Sequence, residues 1–325
     1  MTLTVTNKPL YLAMGAVFVL NMVLFAATRA VLDLSTIWDV LLFTLTFGAF
    51  FFVFARLSDK GFGGLAGRAF YSGRYFCEAM FFTTLISLNI PALNHLTMTI
   101  PFPYQDELLN AGDVALGLDW LAYFEWVHAS PTVIAVMEWS YNKLSLVGLA
   151  VMALLILTQE TRRVLFHMEI FFYTVIICVL IGAAFPALAA VDMYIEDIAA
   201  YTNFPNAPGV YHLPWMEMLR DPAQSPLINP VSAPGLVTFP SYHTASGILL
   251  CITAWRTWMF WPVALYSAIM IASSPIFGGH YFVDLIAGTA IALAVSAAVL
   301  RLRRYEGMFA PRRAASGKGA LPQTA

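Results

Sequence analysis

Two short stretches stand apart from an otherwise apolar chain: Phe239-Pro240-Ser241-Tyr242-His243-Thr244 and Gly278-Gly279-His280-Tyr281-Phe282-Val283-Asp284. In the second, His280 and Asp284 are four residues apart at the start of an apolar run, which puts both on one helix face within side-chain reach. A carboxylate bonded to one imidazole nitrogen fixes the tautomer and raises the basicity of the other, so His280 reads as a nucleophile and Asp284 as its orienting partner. Gly278 and Gly279 let a bulky anion approach the backbone. In the first stretch Pro240 and Ser241 mark a helix start, where unpaired N–H groups and the dipole favour an anion such as phosphate. His243, just inside that helix, can protonate a leaving oxygen. The chemistry indicated is phosphoryl transfer through a phosphohistidine, with His280, His243 and Asp284 catalytic and Ser241, Tyr242 and Gly279 around the phosphate. Singly, each feature has a plainer structural reading, a hydrogen-bonded interfacial His or a structural His-x3-Asp pair. Their meeting at one predicted membrane face, and the cost of burying ionisable groups in lipid, select catalysis.

The elements that must position these groups follow from composition. Of 325 residues 60% are hydrophobic and only 11% charged, against roughly a quarter charged in soluble domains. The chain reads as an integral membrane protein, which excludes a disordered chain, a disulfide scaffold and a charged coiled coil. A net charge of -2 gives no support to nucleic-acid binding. Cys77, Cys178 and Cys251 lie in apolar runs without zinc-like spacing and read as inert thiols. His243, His280 and Asp284 lack a fourth metal ligand, so neither metal nor cofactor is expected.

A span needs about 20 apolar residues. Eight runs qualify, near 11–28, 37–56, 76–100, 133–158, 164–190, 243–261, 262–279 and 281–300, with an interface turn expected at Trp261-Pro262 beside Trp255 and Trp258. The fold class is therefore all-α, a polytopic helix bundle. With both termini cytoplasmic, fourteen cations fall inside and only Arg29 and Arg220 outside, a clear positive-inside bias, with Lys143 within the fourth run. Loops 57–75 and 159–163 are then cytoplasmic, and the long segments 101–132 and 191–242, rich in acids, lie on the outer face with both motifs. The second is long enough to be a lid or substrate-binding loop. Three divisions result: two N-terminal spans and their loop over 1–75, a six-helix catalytic core over 76–305, and a disordered cytoplasmic tail over 306–325. A bacterial cytoplasmic membrane is the simplest location.

The two motifs resemble those of the phosphatidic acid phosphatase type 2 superfamily, and within it the branch that includes inositol phosphorylceramide synthases. Phe239-Pro240-Ser241-Tyr242-His243-Thr244 is similar to its PSGH motif, Gly279-His280-Tyr281-Phe282-Val283-Asp284-Leu285 to its third motif, and their histidines are 37 residues apart. The segment Asp106 to Trp120 and the stretch Ala184 to Leu188 match more loosely. The resemblance implies a metal-independent lipid phosphatase or phosphotransferase with the same roles for His280, Asp284 and His243, acting on a lipid phosphate or phosphodiester with water or an alcohol as acceptor. Two departures stand out. The family's Arg six residues before the third-motif His is Ser274 here, and its K-x6-R-P motif is absent.

A phosphoryl-transfer site needs positive charge. Arg220 is the first candidate, since Arg binds phosphate bidentately, against a solvated pair with Asp221. Lys143, near Glu138 and Asn142, is the second, against half of a buried ion pair. Arg29 reads as an interface anchor. His95, His128 and His212 read as structural, His212 being the best placed of them for substrate contact. The alternative function is a lipid or small-molecule transporter that uses the His/Asp cluster as a binding site, although no internal repeat supports it.

Overall fold

The computed structural model describes residues 7–35, 37–302, 305 and 307–309. Of the expected tail, only 307–309 fall among the described residues. Hydrocarbon offers the backbone no hydrogen-bond partner, so apolar runs satisfy their own N–H and C=O groups as helices. Thirteen α-helices result among the described residues: α1 (Lys8–Ala27), α2 (Ile37–Asp59), α3 (Gly64–Met98), α4 (Asp106–Ala115), α5 (Trp120–His128), α6 (Pro131–Asn142), α7 (Leu144–Leu157), α8 (Thr161–Ala184), α9 (Ala190–Tyr194), α10 (Leu213–Arg220), α11 (Tyr242–Ala254), α12 (Phe260–Phe277) and α13 (Phe282–Leu300). The protein is an all-α polytopic bundle. A two-residue parallel pair, β1 (Val31–Leu32) with β2 (Leu227–Ile228), ties the 191–242 segment to the end of α1.

Six helices, α1, α2, α3, α8, α12 and α13, are long and apolar enough to cross a bilayer. The pair α6 and α7 makes a seventh crossing if taken as one span bent by 56°, and α11 is apolar but shorter. Helices stand at all eight expected runs, but among the described residues only six, or seven with the bent pair, are long and apolar enough to cross, fewer than the eight spans expected, and three further corrections follow. Most of the loop expected over 57–75 is helical, because α3 starts at Gly64 and runs for 35 residues. The fourth run breaks at Lys143, which is exposed at the break rather than held inside a continuous span. The sixth run ends at Ala254, so the turn falls at 255–259 and Pro262 lies in the first turn of α12, where its missing N–H costs no helix bond. Trp255, Trp258 and Trp261 are all exposed around that turn.

Helix α8 is central, packed on α3, α7, α11 and α13, whereas α2 packs chiefly on α3. Several polar groups pair between elements, which lowers the cost of burying them: Asn21 Nδ2 donates to Asn89 O (2.9 Å), and Glu169 accepts from Asn7 Nδ2 (3.1 Å) and the Tyr305 hydroxyl (2.8 Å). The segments 101–132 and 191–242 fold over one end of the bundle. Their seat is an aromatic cluster in which Trp120, Phe124 and Phe204 pack with Phe277 and Tyr281 from the α12–α13 junction.

Candidate active site

The junction between α12 and α13 is held from several directions. Gly279 (φ +67°) and Gly209 (φ +70°) meet back to back: a Cβ on Gly279 would lie 2.6 Å from the Gly209 carbonyl oxygen, and one on Gly209 would lie 3.0 Å from Gly279 N. Glycine alone combines that conformation with that approach. Ala190 N donates to Gly279 O (2.9 Å), and Trp120 Nε1 donates to His280 O (3.1 Å). A helix leaves its first N–H groups unsatisfied. In α13 they are met by carboxylates: Asp113 accepts from Phe282 N and Val283 N, both at 2.8 Å, and Asp284 Oδ2 accepts from Tyr281 N (3.0 Å). The Tyr281 hydroxyl donates to Asp106 (3.0 Å), whose carboxylate also accepts from Leu188 N.

This frame aims one side chain. His280 Nδ1 lies 3.2 Å from Asp284 Oδ2, and the two residues are 2% and 0% exposed. Nδ1 is engaged by Asp284, and the ring also bonds the Thr238 backbone. Burial pulls the imidazole down to about 4, against an opposing hydrogen bond to the Thr238 backbone, so His280 is neutral at neutral pH. The His243 ring centroid is 6.4 Å from that of His280. Its Nδ1 lies 3.2 Å from the Tyr141 hydroxyl, and its ring stacks on Tyr141 at 4.1 Å and 22°.

Both histidines line a cavity of about 690 Å³, together with Tyr141, Tyr211, His212, Thr238 and Tyr242. The rest of the wall is largely apolar, from Ala79, Phe82 and Ile86 of α3, Leu144 and Met152 of α7, and Met168 and Phe171 of α8. Asp284 sits behind His280. Gly278 lines the cavity, whereas Gly279 shapes the turn. Ser241 is fully buried as the N-cap of α11: its hydroxyl accepts from Thr244 N (3.3 Å) and its N–H donates to Asp284 O (3.0 Å), tying the two motifs together.

The structure brings neither Arg220 nor Lys143 to the cavity wall. Arg220 Nη1 donates to Phe102 O (2.8 Å), and its guanidinium lies 4.0 Å from the Tyr104 ring. Asp221 accepts from Ala223 N (2.8 Å) and Gln224 Nε2 (3.0 Å), closing its own turn. Sequence reasoning missed Tyr141 and the roles of Asp106, Asp113 and Trp120. The seven-residue spacing of Asp106 and Asp113, two turns of one helix face, was the signal available for the carboxylates. Nothing local marked Tyr141. Among the described residues no group of three His, Cys, Asp or Glu side chains is set to hold a metal ion.

A buried His-Asp pair and a second histidine thus lie on the wall of a largely apolar cavity inside a helix bundle. The chain belongs to the PAP2 superfamily, whose model matches residues 107–298 and so includes both motifs and the Asp106–Trp120 segment from Glu107 onward. No curated protein and no solved structure matches it. It is thus an integral membrane protein of a family that acts on phosphate-containing lipids.

Proposed function

We propose that the protein moves the phosphoryl group of a lipid phosphate or phosphodiester through a phosphohistidine on His280. Nε2 attacks phosphorus, the bond to the leaving oxygen breaks, and His243 as imidazolium gives that oxygen its proton. Water or an alcohol then loses a proton to His243 and attacks the phosphohistidine, releasing Nε2. Asp284 holds the tautomer and balances the charge that develops on the ring. Tyr242, Ser241 with the α11 N-terminus, and Gly279 through its backbone turn shape the phosphate's seat.

The observation that carries this reading is a cavity whose wall holds His280 and His243 and is otherwise largely apolar, its α3 side running from Ala79 to Asn94, about 22 Å of helix rise. A lipid fits with its phosphate on the histidines and its chain between α3, α7 and α8. The positive-inside count supports an extracytoplasmic site in a bacterial cytoplasmic membrane, with 76–305 as the catalytic core and α1 and α2 as an addition. Ser274 at the position of the family's Arg supports the inositol phosphotransferase-like branch, with an alcohol acceptor.

The test is phosphate release and headgroup exchange by the purified protein on phospholipids and polyprenyl phosphates, against His280→Ala and His243→Ala. Activity lost in both variants supports the mechanism, and the ratio of free phosphate to exchanged lipid separates hydrolase from transferase. Lipid binding without turnover in any panel member would overturn it in favour of a binding or transport role.

A further inference from the structure

Phosphoryl transfer requires positive charge against the transferring group, yet no Lys or Arg is among the described residues lining the cavity. Two further histidines are: His167, whose Nδ1 lies 2.8 Å from the Thr253 hydroxyl, and His212. His212 immediately precedes α10, is 1% exposed, and shares the wall with His243 and His280. Its place is fixed by backbone: Gly209, three residues earlier, is the glycine packed against Gly279 in the His280 turn.

The two nitrogens of His212 have different surroundings. Nε2 is hydrogen-bonded to the Leu188 carbonyl and so carries a hydrogen. Leu188 N in turn donates to Asp106, the carboxylate that holds Tyr281. Nδ1 is buried with no hydrogen-bond partner among the described residues. Native proteins seldom leave such a group unsatisfied, and a ligand is one of the ordinary explanations. Of the titratable groups that bear on His212, His280 opposes its protonation when itself protonated, and Asp106 and Asp192 favour it; the Tyr211 ring lies 5.2 Å away. In the free protein burial dominates and pulls His212 below its ordinary value.

Building on the phosphoryl-transfer reading above, we propose that His212 is a phosphate-binding residue, an imidazolium that donates from Nδ1 to the phosphate while Nε2–H stays on Leu188. It supplies the positive charge that no Lys or Arg brings to the wall. The anion's charge reverses the effect of burial, so a proton is taken from solvent as the anion binds.

Orthovanadate, a phosphate mimic, is the probe, titrated calorimetrically into the full-length protein in detergent in two buffers of different ionisation enthalpy. Wild type is expected to take up about one proton per orthovanadate and to bind more weakly as pH rises through the histidine range. His212→Gln keeps a donor for Leu188 but no charge, and is expected to weaken orthovanadate binding and lower kcat/KM on a lipid phosphate by about 100-fold. His212→Lys is expected to recover part of both, with binding independent of pH across the same range. Wild-type binding without proton uptake overturns the proposal, and this measurement needs no variant to fold. So does a His212→Gln variant that binds orthovanadate or turns over lipid like wild type. Orthovanadate binding that depends on His212, in a protein that turns over no lipid phosphate, would sink the transfer reading and leave the anion site standing. No orthovanadate binding by wild type overturns both.

Discussion

The two ends of one cavity are built differently. At the polar end, Asp106, Asp113, Trp120 and Gly209, from two separate segments, all grip the turn that carries His280. At the apolar end the wall includes Met80, Met152 and Met168, side chains that adapt to what they pack against, and Gly148, where an added Cβ would meet only Leu250 at 4.0 Å. Reacting groups must sit within about 0.5 Å of productive geometry. A lipid chain needs only a dry, non-directional surface. The contrast teaches which changes should be catastrophic and which should merely retune the substrate.

The largest effect is expected at the nucleophile. His280→Ala should cut lipid-phosphate turnover by at least about 10⁴-fold and abolish an acid-labile phosphoenzyme trapped by rapid quench. Next is its partner: Asp284→Asn keeps the shape but not the charge and should cost about 10³ to 10⁴-fold in kcat, read at fixed protein and lipid concentration. Burial holds His280 neutral down to about 4. Folding therefore lowers this histidine's value, and the stability tied to its neutral form is present above the unfolded value of about 6.5 and lost as pH falls toward 4. The acid limb of kcat/KM assigned to His280 should accordingly fall near 4; a limb near 6.5 that vanishes in no other variant would show a solvated imidazole. The scaffold comes third. Asp113→Ala leaves two N–H groups of α13 without their acceptor and should lower stability by about 1 to 2 kcal/mol in thermal unfolding, with activity falling as the turn loosens. The smallest effect belongs to the apolar end. Gly148→Leu should reduce kcat/KM on a long-chain lipid phosphate by about 10-fold, the discrimination a few methylenes can give, and leave a short-chain analogue unaffected. Equal losses on both would mean that the chain lies elsewhere.

What was legible in the sequence is what local physics controls. Eight apolar runs, the proline and serine that start α11, and the four-residue spacing of His280 and Asp284 each depend on neighbours within a turn or within one span, so all could be read in order along the chain. The break at Lys143 and the early start of α3 escaped, because hydropathy measures burial in lipid and not where a helix bends or begins. The site's remaining parts come from long range. Trp120 reaches His280 across 160 residues, Asp113 reaches Phe282 across 169, and Tyr141 reaches His243 across 102. Arg220 shows the converse: its charge and predicted face suited a phosphate, but packing on Tyr104 and Phe102 took it away from the cavity. The sequence by itself determined the all-α membrane class, the two motifs and the pairing of His280 with Asp284, because each follows from side-chain type and helix period. Only the tertiary structure decided that His212 and Tyr141 join the histidines while Arg220 and Lys143 do not, since that depends on how Gly209 packs against Gly279 and which helices close around one apolar space.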